Sequence, residues 1–176
     1  MKGYTLIEVI ISMLLLVIIL VGGTALFYQS LRSSGLSDVD LGLTSSLRSV
    51  LSSIEKDIRF GQVVSVGTGF RLDCVSAGEV GYPGDSLTVS DLVGAETVYT
   101  LDNNRIASTS SQTGNMVFVS PAEMKIERLS FTWFCQGGVS DKIKVEIDAS
   151  NVVLGSGVGV TRKVSTDISL FNSGIN

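Results

Sequence analysis

Gly3-Tyr4-Thr5-Leu6-Ile7-Glu8-Val9 begins the stretch on which the fold turns, and from Val9 to Leu31 no further charge follows. A run of about 20 apolar residues is long enough to cross the hydrocarbon core of a bilayer as a helix. An ordinary anchor would not carry Glu8 at its front. An acidic side chain within a membrane helix costs roughly 2.5–3.5 kcal/mol on insertion scales, so such a charge calls for a function and a partner. Three simpler readings compete for the same residues. One is a secretory signal peptide cut among Val21-Gly22-Gly23-Thr24-Ala25. The others are a plain single-pass anchor and the buried core helix of a globular protein. None of them uses Glu8 together with the glycine five residues before it.

Gly3-Tyr4-Thr5-Leu6-Ile7-Glu8 resembles the processing site of type IV prepilins, the superfamily that also holds type II secretion and competence pseudopilins. The resemblance implies cleavage after Gly3 by a membrane prepilin peptidase and methylation of the new amino terminus at Tyr4. Lys2 stands where the family often has a basic residue, and Glu8 becomes the fifth mature residue, where the family has glutamate. Tyr4 departs from the commoner Phe or Met without moving the frame. Residues 1–3 are then a leader, 4–31 a transmembrane and filament-core helix, 32–60 its amphipathic continuation and 61–176 a globular domain. The implied role of Glu8 is assembly, pairing with an N-terminal amine of its own or a neighbouring subunit inside an apolar core.

Beyond the apolar run, Leu36, Val39, Leu43, Leu47, Val50, Leu51, Ile54 and Ile58 recur mostly at spacings of three and four. That is one apolar stripe on a helix, with Asp38, Asp40, Arg48, Glu55, Lys56 and Arg59 mostly on the other face. One long, interrupted helix from about Tyr4 to Phe60 is expected, with Gly22-Gly23 breaking the pattern, by local melting or for close packing between helices, and Gly35 at the junction of its two halves. From Gly61 the period changes to two. Gln62–Val66, Phe70–Val75, Ser86–Val93, Glu96–Leu101, Arg105–Thr109, Met116–Val119, Glu127–Cys135, Lys142–Ala149 and Val164–Phe171 read as strands bounded by turn residues. Asp102-Asn103-Asn104 reads as a hairpin turn, because Asn and Asp tolerate positive φ. Gly78–Gly84 and Gly155–Gly159 read as loops. The expected fold is α+β: a long N-terminal helix whose stripe covers an antiparallel sheet.

The segment Leu51-Ser52-Ser53-Ile54-Glu55-Lys56-Asp57-Ile58-Arg59 is similar to the helix end of minor pilins of the W type and of type II minor pseudopilins of the J type. The resemblance also takes in the hairpin at Tyr99-Thr100-Leu101 and the strand Leu129–Phe134. It leans towards a minor subunit. The partners it implies are prepilin peptidase, other pilin or pseudopilin subunits, an inner-membrane assembly platform and the cytoplasmic membrane. It also implies a single-pass protein whose globular domain lies outside the cytoplasm.

Composition narrows the remaining classes. The chain of 176 residues has a net charge of -4 and no histidine. It therefore lacks the commonest metal ligand and the usual general base, and its charge weighs against nucleic-acid binding by bulk electrostatics. Two cysteines in an oxidising compartment favour a Cys74–Cys135 disulfide, the alternative being two buried thiols. Asp102-Asn103-Asn104 lacks the later Gly and Glu of a calcium loop, and Gly155–Gly159 lacks the Lys-Ser/Thr of a phosphate cradle. Lys125 and Arg128, Lys142 and Lys144, and Arg162-Lys163 read as a solvated sheet face. No catalytic constellation, cofactor site or metal site is expected. The rival functions are a tip-exposed adhesin or DNA-binding module on the same anchor, and a β-rich protein released by signal peptidase.

Overall fold

The structure, a computed structural model, describes residues 5–135, 140–152 and 159–171, with the side chains of 32–36 and 152 outside the description. Helix α1 runs unbroken from Leu6 to Phe60. The interruption expected at Gly22-Gly23 is absent from its backbone, and the helix also passes through Gly35, since each glycine costs only about 1 kcal/mol in a helix this long. It stops at Gly61, whose N–H donates to the Asp57 carbonyl at 2.8 Å. A Cβ at Gly61 would lie 2.4 Å from the Val89 side chain, so only glycine lets the chain turn this closely under the sheet.

The remaining elements are β1 (Gln62–Val66), α2 (Arg71–Ala77), a 3₁₀ turn (Gly78–Val80), β2 (Tyr82–Gly84) and β3 (Leu87–Ser90). They are followed by β4 (Glu96–Asp102), β5 (Arg105–Ser110), β6 (Met116–Phe118), β7 (Lys125–Phe134), β8 (Lys142–Val152) and β9 (Gly159–Ser169). Two antiparallel sheets form where one was expected: a five-stranded sheet in the order β1-β3-β4-β5-β6 and a four-stranded sheet in the order β2-β7-β8-β9. The α+β class holds.

Buried Leu43, Leu47, Val50, Leu51, Ile54 and Ile58 carry the stripe of α1 onto the inner face of β8 and β9 and onto β1. The two sheets meet where β7 touches β1, β4 and β5. One core thus gathers Ile126, Leu129, Phe131 and Trp133 from β7, Ile143, Val145 and Ile147 from β8, and Leu87, Tyr99 and Ile106 from the other sheet. On β7 the inward positions change from even to odd because the register slips between Ile126 and Arg128, a bulge that turns Leu129 inward. The turn expected at Asp102–Asn104 is present: Asn103 and Asn104 have φ 47° and 58°, the pair of positive values a two-residue type I′ hairpin needs.

Two expectations fail locally. Within the stretch 70–75, residues 71–75 belong to helix α2 and Phe70 is its N-cap, so no strand forms. Phe70, Leu72 and Cys74 alternate like a strand, but only Cys74 is buried, so alternation there marks no sheet face. Asp73 instead accepts a hydrogen bond from the Phe70 N–H at 2.9 Å and caps a helical turn. The loop expected over Gly78–Gly84 contains β2, which pairs Tyr82–Gly84 with Phe131–Trp133 at the sheet edge, where Pro83 is tolerated. The loop expected at Gly155–Gly159 lies outside the described residues up to Gly159, which begins β9.

Candidate functional site

The first half of α1 departs from the burial pattern of the rest. Leu6–Leu31, 26 residues, is long and apolar enough to cross a membrane, and none of it is buried. Large side chains along its whole circumference, including Leu6, Ile10, Leu14, Ile18, Phe27 and Leu31, face outward. A helix apolar all round needs lipid or other helices about it. Two of its hydroxyls are satisfied within the helix: Ser12 Oγ donates to the Glu8 carbonyl at 2.7 Å and Thr24 Oγ1 to the Val21 carbonyl at 2.9 Å.

Glu8 sits in the first turn of this helix, exposed, with Thr5 at the N-cap. The unpaired amides of a first turn and the helix dipole favour a carboxylate there. Among the described residues Glu8 forms no ion pair. Gly3 and Tyr4, the expected cleavage and methylation positions, lie outside the described residues, as does Lys2.

The second half of α1 is tied to the domain by polar contacts that sequence reasoning missed. The Arg162 guanidinium on β9 grips the Asp40 carboxylate with two nitrogens. That hydrogen bond, with the charge behind it, holds the Asp40 carboxyl below its usual range and raises Arg162. Near the helix end, Tyr99 Oη donates to Asp57 Oδ2 at 2.5 Å. Burial first, and then the adjacent carboxylate, pushes the Tyr99 hydroxyl well above its ordinary pKa. The pairs connect residues 122 and 42 positions apart, which no local pattern marks.

Cys74 of α2 and Cys135, one residue past β7, are bonded, with Cα atoms 5.7 Å apart. The bridge pins α2 to the four-stranded sheet and closes a sequence separation of 61 residues, a constraint of roughly 4 kcal/mol in the chain-entropy model. Beside it lies buried Asp141, also missed. Burial raises its carboxyl above the usual range, against the opposing pull of the Arg71 guanidinium at 3.3 Å and of the Trp133 indole. The outer face of the four-stranded sheet is a solvated charge lattice, with Lys144–Glu146 at 2.8 Å and Lys163–Asp148 at 3.3 Å. Among the described residues no group of three or more acidic or cysteine side chains could hold a metal.

Comparison with protein-family models, curated proteins and solved structures finds no match. The chain's own architecture is a long apolar N-terminal helix followed by antiparallel sheets, a shape compatible with a pilin-like subunit. An apolar N-terminal helix, span or signal, together with a disulfide indicates a domain outside the cytoplasm.

Proposed function

We propose that the protein is a minor pilin or pseudopilin, a structural subunit of a type IV filament-like machine. It acts without catalysis and is assembled through its N-terminal helix. The observation that carries this reading is the carboxylate of Glu8 in the first turn of an apolar helix that none of the described residues covers. An ionised side chain is retained in an apolar environment only where a partner charge offsets its desolvation. An amine at Tyr4, four residues before Glu8, is the partner that cleavage after Gly3 would create. Pairing with that amine on the same or a neighbouring subunit sets axial register, while the apolar helices bundle and the sheets face outward. Prepilin peptidase, sister subunits and an inner-membrane platform complete the reading.

The test replaces Glu8 with Val or Lys in cells carrying the assembly machinery and assays filament fractions for the chain. The expected result is retention in the membrane with loss from the filament for both variants. Incorporation at the unsubstituted level would overturn the proposal.

A further inference from the structure

The contacts between α1 and β9 act as two rulers laid side by side. Arg162 meets Asp40, and farther along Phe171 packs on Phe60 with ring centroids 6.2 Å apart. Asp40 and Phe60 are twenty helical residues apart, roughly 30 Å of axis. Arg162 and Phe171 are nine residues apart, seven steps to Ser169 within β9 and two just past its end, together close to the same roughly 30 Å. The equality means β9 runs alongside α1, parallel to its axis.

The same rulers extend towards the N-terminus. Leu31, the last residue of the apolar run, lies nine helical residues below Asp40, roughly 14 Å. Gly159, the first residue of β9, lies three extended residues below Arg162, roughly 10 Å. The end of the β8–β9 ladder, where Val152 pairs with Gly159, therefore stands only about 4 Å beyond the level of Leu31. The polar headgroup layer on each side of the hydrocarbon core is roughly 5–7 Å thick.

The chemistry of that end fits the position. Its rows nearest the helix span, Val152–Gly159 and Asn151–Val160, carry no charge. The first charged side chains above them on these two strands, Arg162, Lys163 and Asp148, are all ion-paired, so approach to lipid strands none of them. We infer that the β8–β9 end of the domain, at Asn151–Val152 and Gly159–Val160, rests in the headgroup layer of the bilayer that α1 spans. This rests on reading Leu6–Leu31 as a span. The stripe of α1 packed on β8 and β9 sets the face of the helix on which the domain stands, and the contact braces the domain at that height, so membrane-held subunits present themselves to neighbours in one orientation.

The full chain, disulfide intact, is reconstituted in phosphatidylcholine vesicles carrying a headgroup spin-labelled lipid, with single fluorophores on introduced cysteines. Gly159→Cys has room, since a Cβ there meets only the Asn151 carbonyl, at 3.5 Å, and Thr161→Cys is exposed. Leu92→Cys, exposed on the turn after β3 beside the C-terminal end of α1, is the distant control. The expected result is loss of most fluorescence at 159, less at 161 and none at 92. Equal fluorescence at 159 and 92 in chains that resist carbonate extraction overturns the inference and leaves the span standing. Chains released by carbonate overturn both.

Discussion

The two halves of α1 share one unbroken helix but are fitted to different surroundings. From Leu43 to Ile58 the apolar side chains keep to one face, which the sheets cover, and charged groups occupy the other. From Leu6 to Leu31 apolar side chains surround the axis and nothing among the described residues covers them. Secondary structure is therefore a poor guide to role here, because the helix is the same on both sides of Leu31. What separates a scaffold segment from an assembly segment is whether the apolar surface is a stripe or a sleeve. A stripe is satisfied by the chain's own sheet, whereas a sleeve needs lipid or sister helices.

Charge placed in each half gives the largest contrast. Ile54→Asp puts an unpaired carboxylate in the core and should cost more than about 4 kcal/mol, enough to unfold the domain. Leu14→Asp should leave the domain folded and instead penalise insertion by roughly 2.5–3.5 kcal/mol. Near-ultraviolet circular dichroism in detergent separates the two from a membrane-fractionation assay. If both variants lost the domain fold, the two halves would not be independent in the way described.

The disulfide comes next. Cys74→Ser with Cys135→Ser should lower domain stability by roughly 4 kcal/mol in denaturant titrations while leaving membrane insertion unchanged. Tyr99→Phe removes one hydrogen bond to Asp57 and should cost about 1–2 kcal/mol, again in the domain alone.

The smallest effect belongs to the Asp40–Arg162 pair, which is exposed and screened by salt. Because Asp40 has a lower pKa folded than unfolded, its contribution is present above the unfolded pKa and is lost as pH falls through the folded one. Asp40→Asn should flatten the acid limb of the stability profile slightly, and high salt should mask the difference. A stability change at neutral pH as large as that of Tyr99→Phe would mean the pair does more than fasten β9 to α1.

Much of this was legible in the residues, for reasons that also mark the limit. The sleeve and the stripe are one-dimensional patterns, so a charge-free run and a three-four spacing reveal them directly. Asn103-Asn104 is equally local, because its backbone angles are a property of those two residues. Helix α2 was missed because Phe70, Leu72 and Cys74 alternate without a sheet to face, and the deciding signal is the single cap from Asp73. The division into two sheets was hidden because it falls between β6 and β7, consecutive strands that do not pair, and no local pattern says which neighbours pair; β2, three residues long, exists only by pairing with β7 about fifty residues away. The charges of Asp40 and Arg162 were readable, but their pairing spans 122 residues. Glu8 was identified as the candidate site from its place in the sequence alone.

The most direct test of the central claim is the N-terminus of the mature protein, read by mass spectrometry on material taken from its native membrane or filament. A peptide beginning at Tyr4 and bearing a methyl group on its amine is the predicted result. A peptide beginning beyond Gly22 would mean that the apolar sleeve is a discarded signal, and the assembly role given to Glu8 would fall with it.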